Sequence, residues 1–169
     1  HQEDENALMD LLRKQGSSNL LLILVLRHPD RCQEVINSLQ DESINFSVRS
    51  KSDLPAKTDK VYIVDSFGEL GLFYKIADIA FIGGSFVRLG GHNLLEAAYF
   101  EMPIIVGPDM SNFQEVTNEL KNCQAVVQVD SAAELTSQIT ALRSAKNQIE
   151  FRQKGESAKK YLLANDQIG

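Results

Sequence analysis

Between residues 83 and 93 the chain carries two glycine pairs, Gly83-Gly84 and Gly90-Gly91, with Ser85, Arg88, His92 and Asn93 set among and after them. Glycine lets a backbone take positive φ and lets a ligand come close to it, and the first N–H groups of a helix attract negative charge. The chemistry these residues suit is the cradling of an anion. The pattern is neither the Gly-x-Gly-x-x-Gly dinucleotide fingerprint nor a Walker A loop, since no Gly-Lys-Ser/Thr is present. Four glycines with Ser85, Arg88 and Asn93 ahead of a helix exceed what a plain turn requires. Glu96 admits two readings. With Asn93 it fits a capping box, where a first-turn carboxylate is favoured by about 0.3–1 kcal/mol; it also suits a double acceptor for the two hydroxyls of a ribose.

Three further groups have similar character. Arg27 and His28 stand directly after an apolar run, and a guanidinium matches phosphate or carboxylate geometry. Arg31 can instead pair with Glu34 along a solvated helix. Ser66, Gly68 and Glu69 form a second cluster, with Glu69 also readable as an ordinary first-turn carboxylate. Gly107-Pro108-Asp109 is the third. The histidines His1, His28 and His92 have no metal-ligand spacing, so no metal site is expected. No Ser-His-Asp arrangement and no acid–base carboxylate pair can be argued, so catalytic groups are expected outside this chain.

The elements that must position these residues follow from periodicity. Helical spacing of Leu8, Leu11 and Leu12 predicts a helix over 5–15, ended by Gly16-Ser17-Ser18. The run 20–26 reads as a strand apolar on both faces, as a central parallel strand would be. A helix from Pro29-Asp30 to about 40, a strand over 44–48 and a polar loop over 49–60, expected to be mobile, come next. A strand over 61–64, a helix over about 70–77, and strands over 79–82 and 104–106 flanking a helix over 93–100 follow. Then come a helix up to about 121, a strand over 125–129, a helix headed by the Ser131/Glu134 capping box and ending near 145, and a last helix over 148–163. Alternating helices and strands predict a Rossmann-like, doubly wound α/β sheet of about six parallel strands with helices on both faces. Each group of unusual residues follows the carboxyl end of a strand, and in parallel sheets those ends share one edge, where ligands bind. The expectation is one cleft.

With 169 residues and 43% hydrophobic content, the chain is long enough for one buried core and is read as a single domain over 1–169. A net charge of −6 and a pI near 5.1 argue against a general nucleic-acid binder but leave room for one phosphorylated ligand. Cys32 and Cys123 lack metal or redox spacing and are expected to be reduced thiols of a cytoplasmic protein. No run approaches the ~20 apolar residues of a membrane span. The chain opens on His1-Gln2-Glu3-Asp4-Glu5 without methionine, as an excised piece of a longer protein would. A soluble monomer is the simplest expectation.

The segments Ser66-Phe67-Gly68-Glu69-Leu70, Phe81-Ile82-Gly83-Gly84-Ser85, Gly90-Gly91-His92-Asn93 with Leu95-Glu96, and Gly107-Pro108 with Asn112-Phe113 occur together in order. With Arg27-His28-Pro29 and Arg31, they resemble the carboxyl-terminal half of the Kdo transferases, which attach 3-deoxy-D-manno-oct-2-ulosonic acid to lipid A precursor. His1, Asp4 and Glu5 look like the end of that family's Ser-Thr-His-x-x-Glu-Glu segment. The likeness covers nearly the whole chain, but Arg88, Leu94 and Ala97 stand where the family often has proline. It implies a GT-B donor-binding domain, CMP-Kdo as the donor, and inverting transfer without a cofactor or a metal ion. It places the general base, the lipid A precursor contacts and the association with the cytoplasmic face of the bacterial inner membrane in an amino-terminal domain. It implies donor contacts from Arg27, His28, Ser66, Gly68, Glu69, Gly83, Gly84, Ser85, Gly90, Gly91, His92, Asn93 and Glu96. Two other readings stand beside it. One is the donor domain of a GT-B enzyme using a UDP-sugar. The other is a non-catalytic interaction module, which would bind no nucleotide.

Overall fold

A computed structural model describes residues 2–15, 19–86, 89–142 and 144–165 of the chain. It divides into two compact units, one formed by residues 17–73 and the other by residues 1–16 with 74–169.

In the first unit, strands β1 (Leu22–Val25), β2 (Phe46–Val48) and β3 (Val61–Val64) form a parallel sheet in the order β1-β3-β2. The apolar run that includes β1 suggested a central strand, but β3 holds the middle place in this sheet, and all four of its residues are buried. Tyr62, Val64 and Phe73 make a core cluster with Ile23 and Val25 packed against it. Helix α2 (Cys32–Asp41) follows a short 3-10 turn at Pro29–Arg31, where proline supplies the helical φ, and buries Val35, Ile36 and Leu39. The loop after β2 was expected to be mobile, yet it is tied down at several points. Ser50 donates to Asp65 through its N–H at 3.0 Å and its hydroxyl at 2.6 Å, the Tyr62 hydroxyl donates to the Ser52 carbonyl at 2.6 Å, and Ser47 donates to Asp59.

In the second unit, β4 (Ala80–Ile82), β5 (Ile104–Val106) and β6 (Val126–Gln128) form another parallel sheet in sequence order. Its middle strand β5 is fully buried, as an all-β-branched run predicts. Helices α1 (Gln2–Gln15) and α6 (Ala132–Ala141) pack on each other, as do α4 (Leu95–Tyr99) and α7 (Ala145–Ala164). The Gln15 amide donates to the Thr140 hydroxyl at 2.8 Å. Gly155 lets α7 touch the turn after α4, since a Cβ at this position would lie 1.8 Å from the Glu101 carbonyl oxygen. Helix α5 (Gln114–Asn122) buries Thr117 and Leu120, and helix α3 (Leu70–Ile76) has residues 70–73 in the first unit and residues 74–76 in the second.

Six strands were expected in one sheet. They are present, all in parallel pairings, as two three-stranded sheets. Among the described residues no helix is long and apolar enough to cross a membrane.

Candidate functional site

In the first unit, β1 and β3 are parallel neighbours, so Arg27-His28 and the 65–69 loop leave the sheet at the same edge. Arg27 and His28 are exposed there. Glu69 is not an isolated first-turn carboxylate. Its oxygens take the Ser66 hydroxyl at 2.7 Å and the Arg49 guanidinium at 3.0 Å through Nε and 2.9 Å through a terminal nitrogen. The Ser66 hydrogen bond, and then Arg49, hold the Glu69 carboxyl below the usual glutamate range. Arg49 also donates to the Asp53 carbonyl at 2.7 Å and lies 5.8 Å from the centre of the Phe73 ring. Hydrogen bonding to Tyr62 and to Glu69 raises its already high pKa further. Arg49 was missed from sequence because it sits in a polar loop, 20 residues before its partner. Its signal was only a lone arginine directly after a strand. Gly68 takes positive φ, at +77°, and Phe67 beside it is 80% exposed.

In the second unit, β4 and β5 are parallel neighbours, so the 83–93 loop and Gly107-Pro108-Asp109 also share an edge. The two glycine pairs bond to each other. The Gly91 N–H donates to the Gly84 carbonyl at 3.1 Å and the His92 N–H to the Gly83 carbonyl at 3.0 Å. Gly90 and Gly91, at φ +81° and +76°, make the reversal that brings this about. Asp109 accepts from the Gly90 N–H at 3.1 Å, and the Asn112 amide donates to the Leu89 carbonyl at 2.8 Å. Asp4 of α1 accepts from the N–H groups of Gly84 and Phe86 at 2.8 and 3.1 Å.

These contacts correct the anion-cradle reading. The N–H groups of Gly84, Phe86, Gly90, Gly91 and His92 all have acceptors within the chain, so the glycines serve to close the loop on itself. The Ser85 hydroxyl is likewise engaged. Fully buried, it donates to the Ile82 carbonyl at 2.6 Å and accepts from the Gly107 N–H at 2.9 Å, joining the ends of β4 and β5.

The Asn93/Glu96 capping box does not form. Helix α4 begins at Leu95, and the Asn93 side chain accepts from the Leu95 N–H at 2.9 Å, which leaves Asn93 outside the cap position. Glu96 is therefore an exposed carboxylate on a five-residue helix. Tyr74 is buried near it, and burial, aided by the Glu96 charge, pushes the phenol up to about 12. His92 is half-buried, with its ring against Gly83 and Gly84. Arg88 and His1 lie outside the described residues.

Two parallel sheets with helices on both faces, and ligand-type loops at the carboxyl ends of the strands, define a Rossmann-like α/β class that includes the carboxyl-terminal domains of GT-B glycosyltransferases. No family model matches the chain. It is 38% identical over 170 residues to a 3-deoxy-D-manno-octulosonic acid transferase of Rickettsia felis, covering 99% of this chain and 36% of that protein. It is 46% identical over 129 residues to the enzyme of the same name from Haemophilus influenzae, covering 76% of this chain and 30% of that one. Among solved structures it matches the C-terminal CMP-Kdo binding domain of WaaA from Acinetobacter baumannii, with a TM-score of 0.77 and 30% identity over 93% of this chain and 81% of that one. The chain belongs to the 3-deoxy-D-manno-octulosonic acid transferase family, and it spans little more than a third of the length of its Rickettsia relative.

Proposed function

We propose that residues 1–169 form the donor-binding domain of a Kdo transferase, holding CMP-Kdo while the sugar passes to a lipid A precursor. The observation that carries this reading is the likeness, along almost the whole chain, to a domain described as binding CMP-Kdo. The donor contains a phosphate and a carboxylate, so it needs cationic and hydrogen-bonding groups beside a pocket for ribose and base. On this reading His92 and Asn93, presented by the closed 83–92 loop, face the donor's anionic part. Glu96, exposed and not engaged as a cap, takes the ribose hydroxyls. Arg27, His28 and the Ser66–Gly68–Glu69 loop supply further donor contacts, and Ser85 shapes the site through the strand ends that it joins.

Stabilising the departing CMP is electrostatic work, for which donors held in place beforehand are effective. Inverting transfer, independence of metal and cofactor, and a general base in an amino-terminal domain belong to the same proposal. So do attachment of the full-length enzyme to the cytoplasmic face of the inner membrane through that domain, and a monomeric state for this chain.

Titration with CMP followed residue by residue in amide spectra tests it. The expected result is perturbation at residues 83–93 and 66–69 and near Arg27, with UDP competing poorly. Glu96→Gln is expected to raise the CMP dissociation constant roughly tenfold or more, the equivalent of a hydrogen bond to a charged group. Saturating CMP without change at those positions overturns the proposal, and a clear preference for UDP overturns the choice of nucleotide.

A further inference from the structure

The glycine loop already holds an anion, and it is the protein's own. Asp4 is 5% exposed, and its two carboxylate oxygens take the N–H groups of Gly84 and Phe86, one each. A carboxylate withdrawn from water is costly unless its oxygens are hydrogen-bonded, and N–H bonds to an ionised acceptor are among the stronger ones in proteins. The partners lie 80 and 82 residues apart in sequence, so this pairing fastens α1 to the loop and is no by-product of a turn. From Gly84 the restraint runs on through the backbone. The carbonyls of Gly83 and Gly84 receive the N–H groups of His92 and Gly91, and the His92 ring lies so close that a Cβ on Gly84 would meet it at 3.1 Å.

We propose that Asp4 is a positioning residue for donor binding. It stays on the Gly84 and Phe86 amides when donor is present, and through them it sets the 90–93 segment and the His92 ring in the geometry that meets the donor. This rests on the donor-binding reading above. It also goes further, because it removes two backbone amides from the set of phosphate ligands and assigns the loop's shape to a side chain that never touches the donor.

The test uses the whole chain with CMP as probe, together with Asp4→Asn and Asp4→Glu. Asn keeps the size but turns an N–H donor toward one of the two amides, whereas Glu keeps both acceptors. In D4N, faster hydrogen exchange at Gly84 and Phe86, shifted His92 ring resonances and about a tenfold rise in the CMP dissociation constant are expected. D4E should restore most of the affinity, which a generally loosened fold would not do. In the wild type, saturating CMP should leave the Gly84 and Phe86 amides protected and the Asp4 carboxyl carbon resonance in place.

Displacement of Asp4 from these amides by CMP would make it a stand-in for phosphate and overturn the proposal. A folded D4N that binds CMP as the wild type does overturns it too, while leaving the donor reading intact. Failure of the wild type to bind CMP is a different result, since it removes the donor reading and the positioning role with it. Should D4N not fold, the wild-type amide and carboxyl measurements and D4E still decide.

Discussion

Glu69 illustrates how far a residue's role depends on its partners. Its pKa is lowered by the Ser66 hydroxyl and by Arg49, so this interaction contributes fully to stability above the ordinary glutamate pKa of about 4.3. The contribution is lost as pH falls through the lower folded value. Melting curves collected from pH 6 to pH 2 should show an acid-side loss that Glu69→Gln diminishes; identical pH dependence in the two proteins would count against the assigned partners. Ser85 is a different case, because its hydroxyl is fully buried between two strand ends. Ser85→Ala leaves the Gly107 N–H without its acceptor, and denaturant unfolding should register a loss of about 1–3 kcal/mol. Serine in a glycine loop invites a ligand reading, and nothing in its sequence neighbourhood reveals that its hydrogen bonds are already made.

At the scale of elements, local signals worked where the interactions are local. The serine half of the Ser131/Glu134 capping box is present, with Ser131 Oγ accepting from the Glu134 N–H at 3.2 Å, while the Glu134 carboxylate reaches one residue further back and accepts from the Asp130 N–H at 2.8 Å. The same pattern at Asn93/Glu96 gives no box, because Asn93 bonds two residues ahead and the helix starts later. Helix α7 carries a glycine whose reason is tertiary. Alanine in place of glycine within a helix is ordinarily favourable by roughly 0.5–1 kcal/mol. At Gly155 the added carbon would meet the Glu101 carbonyl oxygen at 1.8 Å, so the sign reverses. Gly155→Ala is expected to destabilise by about 1–3 kcal/mol or more in chemical denaturation. An unchanged midpoint would mean that the contact between α7 and the 101–102 turn is looser than described.

For the molecule as a whole, the decisive fact is coverage: the Rickettsia relative is matched over 36% of its length. The proposed division of labour leaves acceptor and general base to the rest of that length. The purified chain is therefore expected to transfer no Kdo to a lipid acceptor, and turnover in a discontinuous assay with CMP-Kdo would refute this. Nucleotide binding should remain, and CMP at a hundred times its dissociation constant should stabilise the chain by about 2.7 kcal/mol, read as a raised melting temperature.

The amino-acid sequence alone disclosed the alternation of strands and helices, the placing of Arg27, Ser66, Gly83 and Asp109 after strand ends, and the family, because these depend on periodicity and on motifs a few residues long. It did not disclose Arg49 as the partner of Glu69 or Asp4 as the occupant of the glycine loop. Those pairings join residues 20 and about 80 positions apart. A carboxylate's spacing in the chain carries no record of which buried N–H or guanidinium it will meet. That is settled when the helices and strands pack, since only then does an unsatisfied oxygen acquire a donor at hydrogen-bonding distance.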